Sequence, residues 1–270
     1  MEHPSKLLKS LGISALKNFG QNFLLHTNSL DKLNRELTSS NRILEIGPGL
    51  GAVTELFVDR GFSISVCEKD RTLVKYLKEK FGERITVVEG DFLKVDVSIW
   101  REQKITQAVG NLPFNITTPI ITRIVDDMEY IDTFLFGVQL DVAKKIVSEK
   151  GNSLAHYLKA TGDAEIFSVM KKGSFFPVPG VDAGWVLWKR NPKVSNVRAF
   201  ELILRGLFWG KRKNIHNSLS KNPFFSKSSV VDTASWPGKL ESYPDKPLLK
   251  RRPDDLNFSE IKELCDYFIK

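Results

Sequence analysis

The chain has 270 residues, 41% of them hydrophobic and 27% charged, with a formal net charge of +8. That composition is that of a soluble globular protein with ample core material, in one large domain or one domain with a small appendage. No apolar run approaches the ~20 residues of a membrane span, and no signal-peptide pattern is expected at the start, because Lys9, Lys17 and polar residues interrupt every apolar stretch there. Cys67 and Cys265 are the only cysteines and the four histidines are scattered, so no metal is expected and a reducing, cytoplasmic setting is.

The charge is unevenly placed. Residues 1–188 carry 23 Lys and Arg against 23 Asp and Glu, whereas residues 189–270 carry 17 against 9. A neutral body with a basic C-terminal third suggests a polyanionic partner, nucleic acid above all. A solubilising surface is the alternative.

Taken in chain order, the first dozen residues are expected to be mobile. From about residue 42 to 188 short β-rich runs alternate with amphipathic helical patterns, the mark of an α/β fold with a parallel sheet. Arg42-Ile-Leu-Glu-Ile46 reads as a buried first strand, and Val53, Leu56 and Phe57 lie on one face of its crossover helix. Ser63-Ile-Ser-Val-Cys-Glu68 is a second strand, followed by a helix carrying Leu73, Val74 and Leu77. Ile85-Thr-Val-Val-Glu89 is a third strand and Gln107-Ala-Val-Gly110 a fourth. A helix through Ile120, Ile121, Ile124 and Val125 leads to a fifth strand over 133–138, and 164–170 and 181–189 read as a closing pair. Asn191-Pro192-Lys193 reads as a linker between a domain of residues 1–190, its first twenty residues partly mobile, and a small basic helical domain of residues 191–270. There Val197, Phe200, Ile203, Leu204, Leu207 and Phe208 form one apolar face, and Phe258, Ile261, Leu264, Cys265 and Phe268 another. Residues 221–253, rich in Pro, Ser and Lys, read as an irregular connection.

The chemistry sits at the strand ends. The first strand runs into Glu45-Ile-Gly47-Pro-Gly49-Leu-Gly51, where glycines let the backbone turn sharply and approach a ligand. The spacing is G-x-G-x-G, not the G-x-G-x-x-G that cradles a pyrophosphate, and it suits a ligand without phosphate such as S-adenosylmethionine. Glu68 ends the second strand, where a carboxylate can accept from ribose hydroxyls; its alternative is a surface pair with Lys69 or Arg71. Asp91, after Gly90 at the end of the third, can accept from an adenine amino group. The fourth strand opens into Asn111-Leu112-Pro113-Phe114, of a tetrapeptide class serving enzymes that methylate an exocyclic amine of a nucleobase. Such an amine is a poor nucleophile because its lone pair is delocalised into the ring. The Asn111 side-chain carbonyl and the Leu112 backbone carbonyl can accept its hydrogens and restore the lone pair. Pro113 stiffens the turn, and Phe114 offers a face for an extruded base.

Three further segments bear on the site. Phe19-Gly20-Gln21-Asn22-Phe23-Leu24 is either packing over the sheet or a lid bringing Asn22 and the Leu24 backbone to a cofactor's methionine end. Phe175-Phe176-Pro177-Val178-Pro179 precedes the last strand, and Phe175 is either a second slice of a base sandwich or a core aromatic. Lys211, Arg212 and Lys213, beside Asn214, His216 and Asn217, and then Lys250, Arg251 and Arg252, are two basic clusters. They suit phosphate contacts that position RNA without reading it, or a solvated face.

In these motifs the sequence resembles the small-subunit ribosomal RNA adenine dimethyltransferase family nearly end to end. The resemblance runs through Gly20-Gln-Asn-Phe-Leu24, Leu44-Glu-Ile-Gly-Pro-Gly-Leu-Gly51, Gly90-Asp91, Asn111-Leu-Pro-Phe114, Phe175-Phe-Pro-Val-Pro179 with Val181-Asp182, Lys211-Arg-Lys-Asn214 with Asn217-Ser-Leu219, and Arg252-Pro253. It implies a Rossmann-like class I methyltransferase domain with a small all-helical C-terminal domain, and S-adenosylmethionine as cofactor. The implied reaction is dimethylation at N6 of two adjacent adenosines near the 3′ end of small-subunit rRNA, within an immature subunit and with a part in its assembly. Cofactor contacts fall by resemblance on Asn22, Leu24, Gly47, Glu68, Asp91 and Asn111, and the glycine loop adds Gly49. The sequence departs from the pattern at Phe114, where Tyr is commoner, at His26, where an acid is common, at Ala183-Gly184 after Asp182, and in the less basic Leu16-Lys17-Asn18. A monomer is expected. The rival readings are a large-subunit rRNA adenine methylase and a non-catalytic RNA-binding assembly or transcription factor on the same fold.

Overall fold

A computed structural model describes residues 4–12, 22–25, 30, 41–113, 115–150, 152–210, 212–220 and 234–269. Phe114, Lys211, Gly20, Gln21, His26 and residues 16–18 lie outside the described residues.

The chain opens with α1 (Pro4–Ser10), which is helical where mobility was expected. The reason is its leucine spacing: Leu8 is buried in a small cluster with Phe23, Leu50 and Leu73, and Leu7 and Leu11 pack against it. The two-residue strand β1 (Phe23–Leu24) precedes β2 (Arg42–Ile46), in which Ile43, Leu44 and Ile46 are buried. Then come α2 (Ala52–Val58), β3 (Ser63–Glu68) and α3 (Arg71–Phe81). Asp70 caps α3, its Oδ1 accepting from Thr72 N at 2.8 Å and Leu73 N at 3.2 Å. β4 (Ile85–Glu89), α4 (Ser98–Glu102), β5 (Gln107–Asn111), α5 (Thr117–Asp127) and β6 (Thr133–Gln139) continue the alternation.

Two helices unforeseen in the sequence follow, α6 (Leu140–Val147) and α7 (Ser153–Thr161), before β7 (Gly162–Met170), β8 (Phe175–Phe176) and β9 (Ala183–Arg190). The sheet order is β4-β3-β2-β5-β6-β9-β7. β2 pairs in parallel with β3 on one side and with β5 on the other, and β9 runs antiparallel to β6. The strand order therefore reverses at β2 and β5, and in an open α/β sheet the crevice beyond the carboxyl ends at such a point is where ligands bind. β1 and β8 form a separate two-stranded ribbon with Phe23 opposite Phe176 and Leu24 opposite Phe175.

Contacts divide the chain into two units, Met1–Ala143 with Glu165–Lys189, and Lys144–Ala164 with Arg190–Lys270. The expected boundary at residue 190 thus misses one stretch, since Lys144–Ala164 clusters with the C-terminal helices. In that second unit α7 packs on α8 (Val197–Phe208) and α12 (Phe258–Ile269). The buried His156 of α7 has its ring centroid 5.8 Å from Phe208 and 6.4 Å from Phe258. Burial of that apolar face against helices remote in sequence outweighs its position before β7.

The expected linker is pinned within the second unit as well. Asn191 N donates to Thr161 O, Lys193 N to Ala160 O, and the side chains of both residues reach Asp163. The expected irregular connection holds two short helices in its described part. They are α10 (Trp236–Ser242) and α11 (Lys246–Lys250), whose Trp236, Leu240, Leu248 and Leu249 are buried, while residues 221–233 lie outside the described residues. Proline there starts helices rather than preventing them, standing near the N-terminus of each. α9 (Ile215–Ser220) completes the unit. No helix among the described residues is long and apolar enough to cross a membrane.

Candidate active site

A cavity of about 120 Å³ opens at the strand reversal, lined among others by Asn22, Leu24, Glu45, Gly47, Gly49, Glu68, Asn111, Leu112, Pro113 and Phe175. Every described residue singled out from the sequence for the cofactor and catalytic site is there except Asp91.

The floor is the loop after β2. Gly49 has φ of 58°, in the left-handed region, and a Cβ there would stand 3.0 Å from the Phe23 ring. Gly47, at φ 65°, has open space where a Cβ would project, so the backbone itself forms the wall. Beside the loop, Glu68 is held by three backbone donors. Its Oε1 accepts from Lys69 N at 2.8 Å and Asp70 N at 2.9 Å, and its Oε2 from Gly49 N at 3.3 Å. Burial pushes its pKa up, opposed by those hydrogen bonds. It pairs with neither Lys69 nor Arg71 through their side chains: Lys69 Nζ goes to Asp91 and Arg71 to Glu89.

That ion pair accounts for Asp91. Its Oδ2 takes Lys69 Nζ at 3.0 Å and its Oδ1 takes Leu93 N at 3.0 Å. Asp91 therefore stands outside the cavity lining, and the Lys69 hydrogen bond holds its carboxyl below the usual range.

The opposite wall is the end of β5. Asn111 Nδ2 donates to Asn22 O at 2.8 Å. A carbonyl can only accept, so the amide is oriented with Oδ1 as its remaining acceptor. Oδ1 lies over Gly137, where a Cβ would come within 2.9 Å of it. Leu112 N donates to Gly137 O at 3.1 Å, and among the described residues nothing donates to the Leu112 carbonyl. Pro113 O starts α5, accepting from Ile116 N at 3.1 Å and Thr117 Oγ1 at 3.0 Å. The β1–β8 ribbon sets Leu24 opposite Phe175. Phe175 is 2% exposed, packs in an apolar cluster and also lines the cavity.

Glu45 opens the glycine loop and has a place in the site that the motifs do not announce. Glu45 is 3% exposed and lines the cavity, and its Oε2 accepts from Thr54 Oγ1 at 2.5 Å. Burial pushes its pKa up to about 8, Glu68 adds to the rise, and Thr54 and Lys80 oppose it. The available signal was a lone carboxylate inside the otherwise apolar strand Ile43-Leu44-Glu45-Ile46, because unpaired acids are rare in buried strands.

In the second unit, Ile215 N donates to Arg251 O at 3.0 Å, which brings the two basic clusters together. Their members differ. Arg251 pairs with Glu260 at 2.5 Å and donates to Asp255 O at 2.7 Å, its side chain 39% exposed. Lys213 Nζ sits 3.6 Å from the centroid of the Trp209 ring. Arg212, Lys250 and Arg252 are exposed.

A family model described as ribosomal RNA adenine dimethylase matches residues 13–231. The chain is 31% identical over 259 residues to ribosomal RNA small subunit methyltransferase A of Chlorobaculum tepidum, spanning 92% of this chain and 87% of that protein. Among solved structures it is similar to a dimethyladenosine transferase from Plasmodium falciparum, with a TM-score of 0.70 at 20% identity, over 92% of this chain and 98% of that one. It is also similar to the 23S rRNA methyltransferase ErmE, with a TM-score of 0.64 at 24% identity, over 91% of this chain and all of that one. At those identities the two structures speak for the fold alone.

Proposed function

This chain belongs to the ribosomal RNA adenine dimethylase family, and we propose that it dimethylates N6 of two adjacent adenosines near the 3′ end of small-subunit rRNA. It is an S-adenosylmethionine-dependent methyltransferase. The residues of the cavity fit that cofactor. Glu68 keeps an acceptor position after its three backbone bonds, Gly47 leaves open space, and the loop spacing is G-x-G-x-G. When bound, the cofactor supplies an electrophilic methyl group.

The observation that carries the reading is the orientation of Asn111. Its Nδ2 is tied to Asn22 O, the Leu112 carbonyl has no donor among the described residues, and both residues line the cavity, which leaves two acceptors for a substrate amine. Such acceptors take the hydrogens of an adenine amino group and return the lone pair to its nitrogen. Catalysis is then positioning and hydrogen bonding, and the N6 proton leaves to solvent from the acidic methylated amine. Phe114 is the base-stacking face in this scheme. Phe175, buried as it is, shapes the pocket and offers an edge. Glu68 holds ribose, Asn22, Leu24, Gly47 and Gly49 frame the methionine end, and Asp91 receives the adenine amino group by sharing its Lys69 partner. Arg212, Lys250 and Arg252, with Lys211 and Lys213, meet RNA phosphate.

The partner in this reading is rRNA within an immature small subunit, met by a monomer in the cytoplasm without a metal, as a step in subunit biogenesis. The test is transfer of labelled methyl groups to unmodified small subunits, with mapping of the nucleotides. Label on two adjacent adenosines near the 3′ end supports the reading. Label on the large subunit, or cofactor binding without transfer to any ribosomal particle, overturns it.

A further inference from the structure

Glu45 is a buried carboxylate whose second oxygen has no donor among the described residues. Oε2 accepts from Thr54 Oγ1, while Oε1 accepts nothing among the described residues and the residue lines the cavity. A carboxylate so largely removed from water costs free energy unless it is protonated or meets a positive charge. We propose that Glu45 gives up a proton when the sulfonium cofactor enters, and so discriminates that cofactor from the thioether product left after methyl transfer. The inference rests on the reading of this cavity as the cofactor site.

The groups acting on Glu45 come from each element around it. Glu68, ending β3, is a like charge facing the same cavity. Lys80 of α3 favours the ionised form from a distance, its ammonium being 3.5 Å from Glu55. Thr54 of α2 donates one hydrogen bond, and β5 contributes only the neutral Gln107 and Asn111. The β1–β8 ribbon adds Phe175 and the residue just before β1 adds Asn22, neither of them charged. Burial outweighs the helpful groups and moves the midpoint to about 8, so before the cofactor enters Glu45 holds its proton at neutral pH. A sulfonium cation in the cavity stabilises the carboxylate, and the proton leaves to buffer. After transfer the thioether carries no such charge, Glu45 recovers its proton, and this source of attraction is gone.

The experiment is calorimetric binding of S-adenosylmethionine and of S-adenosylhomocysteine to the intact protein, in buffers of different ionisation enthalpy. Proton release with the first ligand should exceed that with the second. Affinity for the sulfonium ligand should climb towards pH 8 with a limiting slope of about tenfold per pH unit, as release of one proton requires. In Glu45→Gln the excess release and the slope should vanish, and the preference between the two ligands should narrow. Release from the ligands' own amino groups would persist in that variant and is recognised by persisting. Thr54→Val keeps the carboxylate, removes its donor and should move the midpoint upward, which serves if Glu45→Gln does not fold. Equal release with both ligands, or release unchanged in Glu45→Gln, overturns the proposal. Cofactor affinity indifferent to Glu68→Ala would instead overturn the reading of the cavity on which it stands.

Discussion

Replacing Glu68 by alanine tests the cofactor site at its most structured point. The carboxylate has about four acceptor positions, and backbone N–H groups of Lys69, Asp70 and Gly49 fill three of them. Both positions on Oε1 are used, so the carboxylate cannot serve two ribose hydroxyls with two free oxygens, and one good position remains on Oε2. A single charge-assisted hydrogen bond contributes about 1.5–3 kcal/mol. Glu68 is only 8% exposed, so solvent screens that bond little. The cofactor dissociation constant should therefore rise about 10- to 150-fold in Glu68→Ala. Water entering the vacated space can satisfy the three backbone donors, and Asp70 still caps α3, so the fold should survive. Titration calorimetry measures the affinity and circular dichroism checks the fold. A folded variant that binds the cofactor within about twofold of the parent would refute the assignment, since no effect so small follows from losing a charged acceptor.

Asn111→Ala should abolish most methyl transfer while small-subunit binding persists, because its Oδ1 acts on the amine in the transition state; filter binding beside single-turnover transfer checks this, and equal losses in both would contradict it. Phe114→Tyr should keep the rate within a few-fold and Phe114→Ala should lose most of it, as stacking contributes about 1–3 kcal/mol per base; an alanine variant as fast as the parent on subsaturating RNA would exclude Phe114 from the site. Neutralising Arg212, Lys250 and Arg252 should weaken RNA binding and flatten its salt dependence by about one unit of slope per lost phosphate contact, with cofactor affinity unchanged. Arg251→Ala should instead lower the melting temperature through loss of its Glu260 and Asp255 bonds, and a flattened salt slope without that destabilisation would reverse the distinction drawn between these neighbours.

Local chemistry made the strands and their functional ends legible. Runs such as Ile43-Leu44 and Val109 are apolar because both faces of a parallel sheet are covered, and a residue at the carboxyl end of such a strand faces the crevice wherever the neighbouring strands run. Glu68 and Asn111 could therefore be placed from sequence together with the glycine loop between β2 and α2. Tertiary packing alone decided the rest. Asn22 meets Asn111 across 89 positions, and Leu24 pairs with Phe175 from a segment far downstream; no periodicity encodes such a pairing, which exists only because the sheet brings both segments to one end. The same holds for Lys144–Ala164, whose helix packs His156 beside Phe208 and Phe258, and for Arg251, whose charge looks like its neighbours' in sequence but pairs with Glu260. Glu45 marks the limit most clearly: its residue type was visible, but its burial, its bond from Thr54 and its place on the cavity wall depend on what packs around β2.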